Sequence, residues 1–494
     1  MDTGCLVGLR GSGECFLVEV EKRDAATLLP LIYQHVRPGS TVLSDEMSSF
    51  NQLTAITGNT HLAVNHSLHF VTPPPEHIHK VLRLLNQACV QNDLASVQNL
   101  VEINGCDPSE KDEKGNTPLN VAALSGSLEI VMYLIEERKC SPECPGQWGR
   151  SPLYNACEKI ENIAVVIYLV EIHECDPFGM DEQGNTPIHL AASSGNLNII
   201  KYLIEEWQCS PVCPGHRGRS PLHDACENNG NLAMVKYLVE KHGCDPSVKD
   251  EQGNTALNVA AFSAMVKYLV EKHGCDPSVK DEQGNTALNV AAFSGSLNIL
   301  VYLIEERKCS PGCPGRWGRS PLHDACQNNG NLAMVKYLVE KHGCDPSVKD
   351  EQGNTALNVA AFSGSLDVLM YLIEERKCNP GCPGQWGRSP LHDACQNNGN
   401  LAMVKYLVEK HGCDPSVKDE LGNTALNVAA LSGSLDIPMY LIEERKCSPG
   451  CPGQYGRPPL HIACQKNGNL AVVKYLVEKH GCDLFIHDKY GQTL

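Results

Sequence analysis

Past residue 115, apolar and polar positions settle into one pattern that returns at close to the same interval down to the C-terminus. Leu232, Val235, Leu238 and Val239 fall at i, i+3, i+6 and i+7, the spacing of a single buried helical stripe. A shorter apolar stretch precedes them and opens on a Ser-Pro or Thr-Pro pair such as Thr186-Pro187 or Ser220-Pro221. A hydroxyl there suits a helix N-cap, and proline suits the first helical position, where its missing N–H has no partner to lose. That stretch closes near Gly195 or Gly230, which can adopt the left-handed conformation that ends a helix. After the second stripe comes a polar run, from Asp245 to Asn254, rich in turn formers and without helical period. The pattern predicts a short helix, a turn, a second helix and a hairpin, over and over.

The copies are nearly verbatim. The block that starts at Gly115 returns at Gly184, Gly253, Gly284, Gly353 and Gly422; a second version starts at Gly218 and recurs at Gly318 and Gly387. The opening position, Thr or Ser up to 424, falls at 117, 151, 186, 220, 255, 286, 320, 355, 389, 424 and 458. The steps alternate 34 and 35 residues, with one of 31. A period of about 33 with a T-P-L-H-x-A signature resembles the ankyrin family. The resemblance implies a mainly α solenoid of about eleven helix-turn-helix-hairpin units, since one unit cannot bury its own apolar face and must stack on neighbours. It also implies protein binding rather than catalysis.

The first 75 residues follow no repeat. Leu6–Leu9, Cys15–Val20 and Ser40–Ser44 read as strands and Ala25–His35 as a helix, a small α/β segment. The string from Arg10 to Glu46, with NHSLHFV at 65–71, resembles DDE-type insertion-sequence transposases of the ISXO-like kind, which share an RNase H-like core. By that resemblance Asp45 is the second metal-binding acid. The first acid would lie upstream of Met1, and the segment Lys80–Val90, where the third is due, has no carboxylate. Two-metal chemistry needs several acids, so the expectation is a truncated, catalytically incomplete segment over 1–75. The repeat array then runs over 79–494, its first unit (Val81–Pro108) partial and its last cut short at Leu494. A DNA-processing enzyme with appended repeats is the alternative, and a fragment or a gene-model fusion is a further reading of the same joins.

A net charge of −17 weighs against nucleic acid, whose phosphates attract clustered Lys and Arg. No apolar run approaches the ~18 residues of a membrane span, and the N-terminus lacks the basic and apolar regions of a signal peptide. The expected location is the cytoplasm or the nucleus, without secretion, cofactor or small-molecule substrate.

Five C-x3-C pairs, Cys140/Cys144, Cys209/Cys213, Cys309/Cys313, Cys378/Cys382 and Cys447/Cys451, stand among 25 cysteines. Cys140 aligns with Cys244 and Cys144 with Val248 of the partner repeat, which favours small packed residues over metal ligands. The histidine of S-P-L-H (His223, His323, His392, His461; His189 in T-P-I-H) alternates with Asn120, Asn258, Asn289, Asn358 and Asn427. A slot filled by either residue points to a shared hydrogen bond, not to proton transfer.

Recognition is expected where the copies differ. One hairpin tip is charged, with Lys249-Asp250-Glu251-Gln252 as its type; the other carries Trp148, Arg217, Trp317, Trp386 or Tyr455. Tryptophan dominates interface hot spots, while the competing reading makes each indole a prop between hairpins. Two breaks stand out. At 262–265 one repeat type runs into the other without its interhelical turn, and Pro438 enters the start of a second helix.

Overall fold

The computed structural model describes residues 4–9, 15–20, 41–45 and 60–64, and then 75–492 apart from 160–162, 229, 261, 328–330, 397–399, 433 and 466–469. Its internal contacts divide the chain into two units, Met1–Cys244 and Asp245–Leu494.

The N-terminal unit opens with four strands, β1 (Gly4–Leu9), β2 (Cys15–Val20), β3 (Thr41–Asp45) and β4 (Thr60–Val64). Their order is β2-β1-β3-β4, with β1 antiparallel to β2 and β3, and β3 parallel to β4. Three of these were expected, the third displaced by one residue so that it ends on Asp45; β4 was not. The helix expected at Ala25–His35 lies outside the described residues. A mixed sheet of this size occurs in many folds and does not by itself identify an RNase H-like core.

Helices follow from Pro75. The stretch expected to be a half-unit carries both helices of a repeat, Pro75–Val90 and then Leu94–Gln98 continued by Asn99–Ile103. Its side chains Leu82, Leu85 and Val97 are buried. In the next repeat Thr117 caps Pro118–Ser125, which ends on Gly126 at φ 90°. The chain then turns into Leu128–Met132 and a π-type turn over Tyr133–Glu137. Leu119, Ile130 and Leu134 are fully buried, each contributing about 1.5–3 kcal/mol relative to exposure. The stripe read from sequence is seen in Val235, Leu238 and Val239, all buried, with Leu232 half-buried at its edge.

In the C-terminal unit the pattern continues with Ala287–Phe293, Pro321–Gln327, Ala356–Ser363, Pro390–Gln396 and Ala425–Ala429 as successive first helices. Both expected breaks leave a mark. The first helix before the shortened turn is only Ala256–Val259, against eight residues in Ala356–Ser363. Ala260 (ψ 114°) and Phe262 (φ −117°, ψ 130°) are extended, and a continuous second helix runs Ser263–His273. The missing turn has been made from the end of the first helix. Near Pro438 the second helix starts at Asp436, whereas its counterpart starts at Leu366. Leu369, the equivalent of Pro438, donates its N–H to Ser365 at 3.0 Å, a bond proline cannot make.

Candidate functional site

The hairpins are where the two repeat types diverge, and each begins from a buried anchor. In the charged type an aspartate accepts from its own turn: Asp350 Oδ1 takes the N–H of Gln352 at 3.0 Å and of Asn354 at 2.8 Å. Its other oxygen receives Arg319 Nε at 3.3 Å, and the Asp350 side chain is fully buried. Arg150–Asp181, Arg388–Asp419 and Arg457–Asp488 repeat this pair at 3.0, 3.2 and 2.8 Å. Each bond joins an aromatic hairpin to the charged hairpin that follows it.

The aromatic tips are closed by glycine. Gly315 N donates to Arg319 O at 2.7 Å, and a Cβ on Gly315 would lie 2.7 Å from both Asn285 Oδ1 and Asn289 Nδ2. Only glycine lets the tip approach the preceding repeat so closely. The chain then passes the tip in the left-handed region: Trp148, Arg217, Trp317, Trp386 and Tyr455 have φ between 55° and 58°. For a bulky side chain that conformation is an outlier costing roughly 1–2 kcal/mol. The carbonyls of these residues are used structurally, since Glu182, Glu351 and Glu420 donate their N–H groups to Trp148, Trp317 and Trp386 at 3.0, 2.8 and 2.8 Å. The rings are not. Trp148, Trp317, Trp386 and Tyr455 remain 47, 42, 49 and 44 % exposed. Arginines lie over the rings at 4.9 Å (Arg150), 3.7 Å (Arg316) and 5.2 Å (Arg388). Arg217 shares the backbone geometry without a ring.

Two of the tips border a cleft. Trp317 walls one of about 340 Å³ together with Val290, Phe293, Asn289 and Arg319; Trp148 walls a smaller one of about 160 Å³ with Val121, Leu124 and Asn120. Tips and first helices therefore share one surface.

The His/Asn slot lies beneath it. Asn120 accepts from the Thr117 backbone at 3.0 Å and donates to the carbonyls of Cys144 and Arg150 at 3.2 and 3.3 Å. His189 makes the same set, with Thr186 N at 3.1 Å and the carbonyls of Cys213 and Arg219 at 3.1 and 3.2 Å. Either side chain caps its own helix and holds the next hairpin, so the imidazole has no free nitrogen for proton transfer. Burial lowers the pKa of His189, His323 and His392, which favours the neutral form. The aspartate after the histidine turns elsewhere. Asp324 accepts from Asn289 Nδ2 at 3.2 Å, and burial pushes its pKa up to about 7.

The thiols of the five pairs are buried or half-buried, and desolvation raises Cys140, Cys209, Cys378 and Cys447 to about 11. Cys144 Sγ lies 3.3 Å from Thr117 Oγ1, whereas its counterpart Val248 is exposed. Among the described residues no group of three or more His, Cys, Asp or Glu is placed to hold a metal ion. No described helix is long and apolar enough to cross a membrane.

A family model for ankyrin repeats matches residues 85–178, 172–250, 222–313, 257–350, 322–419 and 391–488. The chain belongs to the ankyrin-repeat family. No curated protein matches it. The ankyrin match begins in the first helix pair and leaves the strand segment uncovered, so the transposase resemblance gains nothing from it.

Sequence reasoning did not find one set of contacts. In the ankyrin array second-helix tyrosines donate to a glutamate of the repeat before, as Tyr133 does to Glu102, Tyr202 to Glu171 and Tyr371 to Glu340, each at 3.0 Å. The recurring Tyr-Leu-x-Glu string was the available signal.

Proposed function

We propose that this ankyrin array is a protein-binding scaffold whose partners dock on the aromatic tips and adjoining first helices. The observation that carries this reading is the pairing of an unfavourable backbone with an exposed ring at Trp148, Trp317 and Trp386. Glycine would hold the same left-handed conformation at less cost, and the carbonyl stitching needs no side chain. The backbone therefore does not call for indole at these positions, whereas binding rewards it. Trp317→Gly and Trp386→Gly should leave the unfolding midpoint unchanged or higher while abolishing partner capture. A prop would behave oppositely, losing stability and keeping capture.

For the strand segment we propose a transposase-derived, catalytically incomplete remnant, supported by the motif string that ends β3 on Asp45. Purified protein should show no magnesium- or manganese-dependent DNA strand cleavage; cleavage that disappears in Asp45→Asn would favour the DNA-processing alternative. The abundance of protonated thiols suits a reducing compartment, and we place the scaffold in the cytoplasm or nucleus.

A further inference from the structure

Each indole tip has an acidic neighbour that the fold does not neutralise. Glu182, Glu351 and Glu420 donate their backbone N–H groups to the carbonyls of Trp148, Trp317 and Trp386, and their side chains are exposed. Glu351 Cγ would lie 2.8 Å from a Cβ on Gly318, and Glu420 Cγ 2.7 Å from one on Gly387, so the carboxylate arms lie over the turn beside the ring. Arg319 and Arg388 pair with the buried Asp350 and Asp419, and Arg316 lies on the Trp317 ring. Among the described residues no cation pairs with Glu182, Glu351 or Glu420. A half-exposed aromatic face beside an unpaired carboxylate recurs at the same place in three repeats.

Resting on the scaffold reading, we infer that each Trp–Glu pair receives an extended proline-rich segment carrying arginine or lysine, with a proline ring against the indole and the cation on the carboxylate. Polyproline II segments dock on aromatic surfaces because their extended shape is preformed and little entropy is lost. The carboxylate selects a basic ligand and repels phosphate, which sets this occupant apart from a nucleic acid.

Spacing makes the inference specific. Trp317 and Trp386 are two repeats apart in one unit, with the first helices Pro321–Gln327, Ala356–Ser363 and Pro390–Gln396 packed in succession. At 8–10 Å per helix layer the tips are about 16–20 Å apart. A polyproline II chain rising 3.1 Å per residue covers that in about six residues. The two tips are also unequal. Arg316 covers one face of Trp317 at 3.7 Å, whereas Gln385 occupies that place beside Trp386. Trp386 is the stronger of the two.

The test uses the full chain and a fluorescent peptide with two Pro-Pro-Arg blocks about six residues apart, followed by anisotropy. Peptides with Pro-Pro-Glu blocks, or with Gly-Ser-Arg blocks of equal charge, should bind at least roughly tenfold more weakly. Trp386→Ala and Glu420→Gln should each weaken the Pro-Pro-Arg peptide by about tenfold, and Trp317→Ala by less. Shortening the interval to about three residues should remove the two-site advantage. Equal binding of the Gly-Ser-Arg peptide, tighter binding of a single-stranded oligonucleotide, or indifference to Trp386→Ala and Glu420→Gln would overturn the inference. If partner capture stays sensitive to Trp386→Gly while the Pro-Pro-Arg peptide shows no preference, the ligand class fails and the scaffold reading stands. Capture insensitive to Trp386→Gly removes the scaffold reading itself.

Discussion

Tyr337 donates its phenol to Glu305 at 2.9 Å, and Lys341, one helical turn further on, reaches the same carboxylate at 2.7 Å. Glu305 belongs to the preceding repeat, so the two bonds tie adjacent second helices. His342 packs edge-on against the Tyr337 ring at 4.8 Å. The arrangement recurs at Tyr406–Glu374 and Tyr475–Glu443, at 2.8 and 2.9 Å. It gives the array a polar seam that complements its apolar core.

The seam should register in acid. The Lys341 and Tyr337 hydrogen bonds lower the pKa of Glu305 to about 2. A depressed carboxylate stabilises the fold above its unfolded value, and that contribution disappears as pH falls from about 4.5 through 2. Glu305→Gln should lower the unfolding midpoint at pH 7 and flatten its decline below pH 4.5. An unchanged acid limb in the variant would show that the seam carries no linkage.

Asp324 works with the opposite sign. Its pKa is raised to about 7, first by burial, so the folded state holds a proton that the unfolded state releases at about 3.8. The stabilisation is complete below that lower value and is lost as pH rises through 7. Asp324→Asn keeps an acceptor for Asn289 without a charge to bury. It should raise the midpoint at pH 8 and reduce the fall between pH 4 and pH 7. A variant less stable than the parent at pH 8 would mean that the attraction of the Arg319 charge outweighs the desolvation.

The His/Asn slot allows a graded test. His392 Nε2 reaches the carbonyls of Val417 and Asn423 at 3.1 and 3.2 Å, while Asn358 reaches those of Cys382 and Arg388 at 3.5 and 3.4 Å. His392→Asn should cost little, and His392→Ala about 1–3 kcal/mol for the polar groups it strands. Position 458 is the natural experiment. Proline there supplies neither the hydroxyl nor the N–H that hold the ring nitrogen elsewhere, and both nitrogens of the buried His461 lack partners among the described residues. Pro458→Ser should stabilise the last repeats by about 0.5–2 kcal/mol. A neutral or negative change would show that the ring is satisfied in another way.

What the sequence made legible was local. Helix starts, glycine ends and the apolar stripe follow from propensity and period, and Thr117, Gly195 and Val235 occupy the roles expected of them. The His/Asn equivalence was readable because two copies could be aligned. What escaped depends on contacts between repeats or on backbone angles. Nothing in Tyr-Leu-x-Glu says that the phenol reaches the previous repeat, and nothing in Gly-Gln-Trp-Gly says that Trp148 takes φ 58°. The first helix pair was underestimated because Pro75–Val90 opens without the Thr-Pro signature.

The shortened junction is where the array should open first. Repeat stability is close to a sum of intrinsic and neighbour terms, so one weak unit limits how far cooperativity spreads. Here the first helix is cut to Ala256–Val259, its last backbone bond runs from Ala260 N to Leu257 O at 3.3 Å, and extended residues replace the usual glycine turn. The capping end survives, since Thr255 and Asn258 still form their reciprocal bonds, and Asn258 Nδ2 still reaches Val279 O at 3.2 Å. Loss is thus confined to the C-terminal half of that helix and the corner after it. Amide exchange should be fastest within Ala260–Met265, with proteolysis at the same place, while Thr255–Asn258 stays protected. Inserting Gly-Ser-Leu between Ser263 and Ala264 should extend the first helix to the length of Ala356–Ser363 and slow that exchange. Protection at Ala260–Met265 equal to that of Ala360–Ser365 in the parent protein would show that the extended corner absorbs the deletion at no cost.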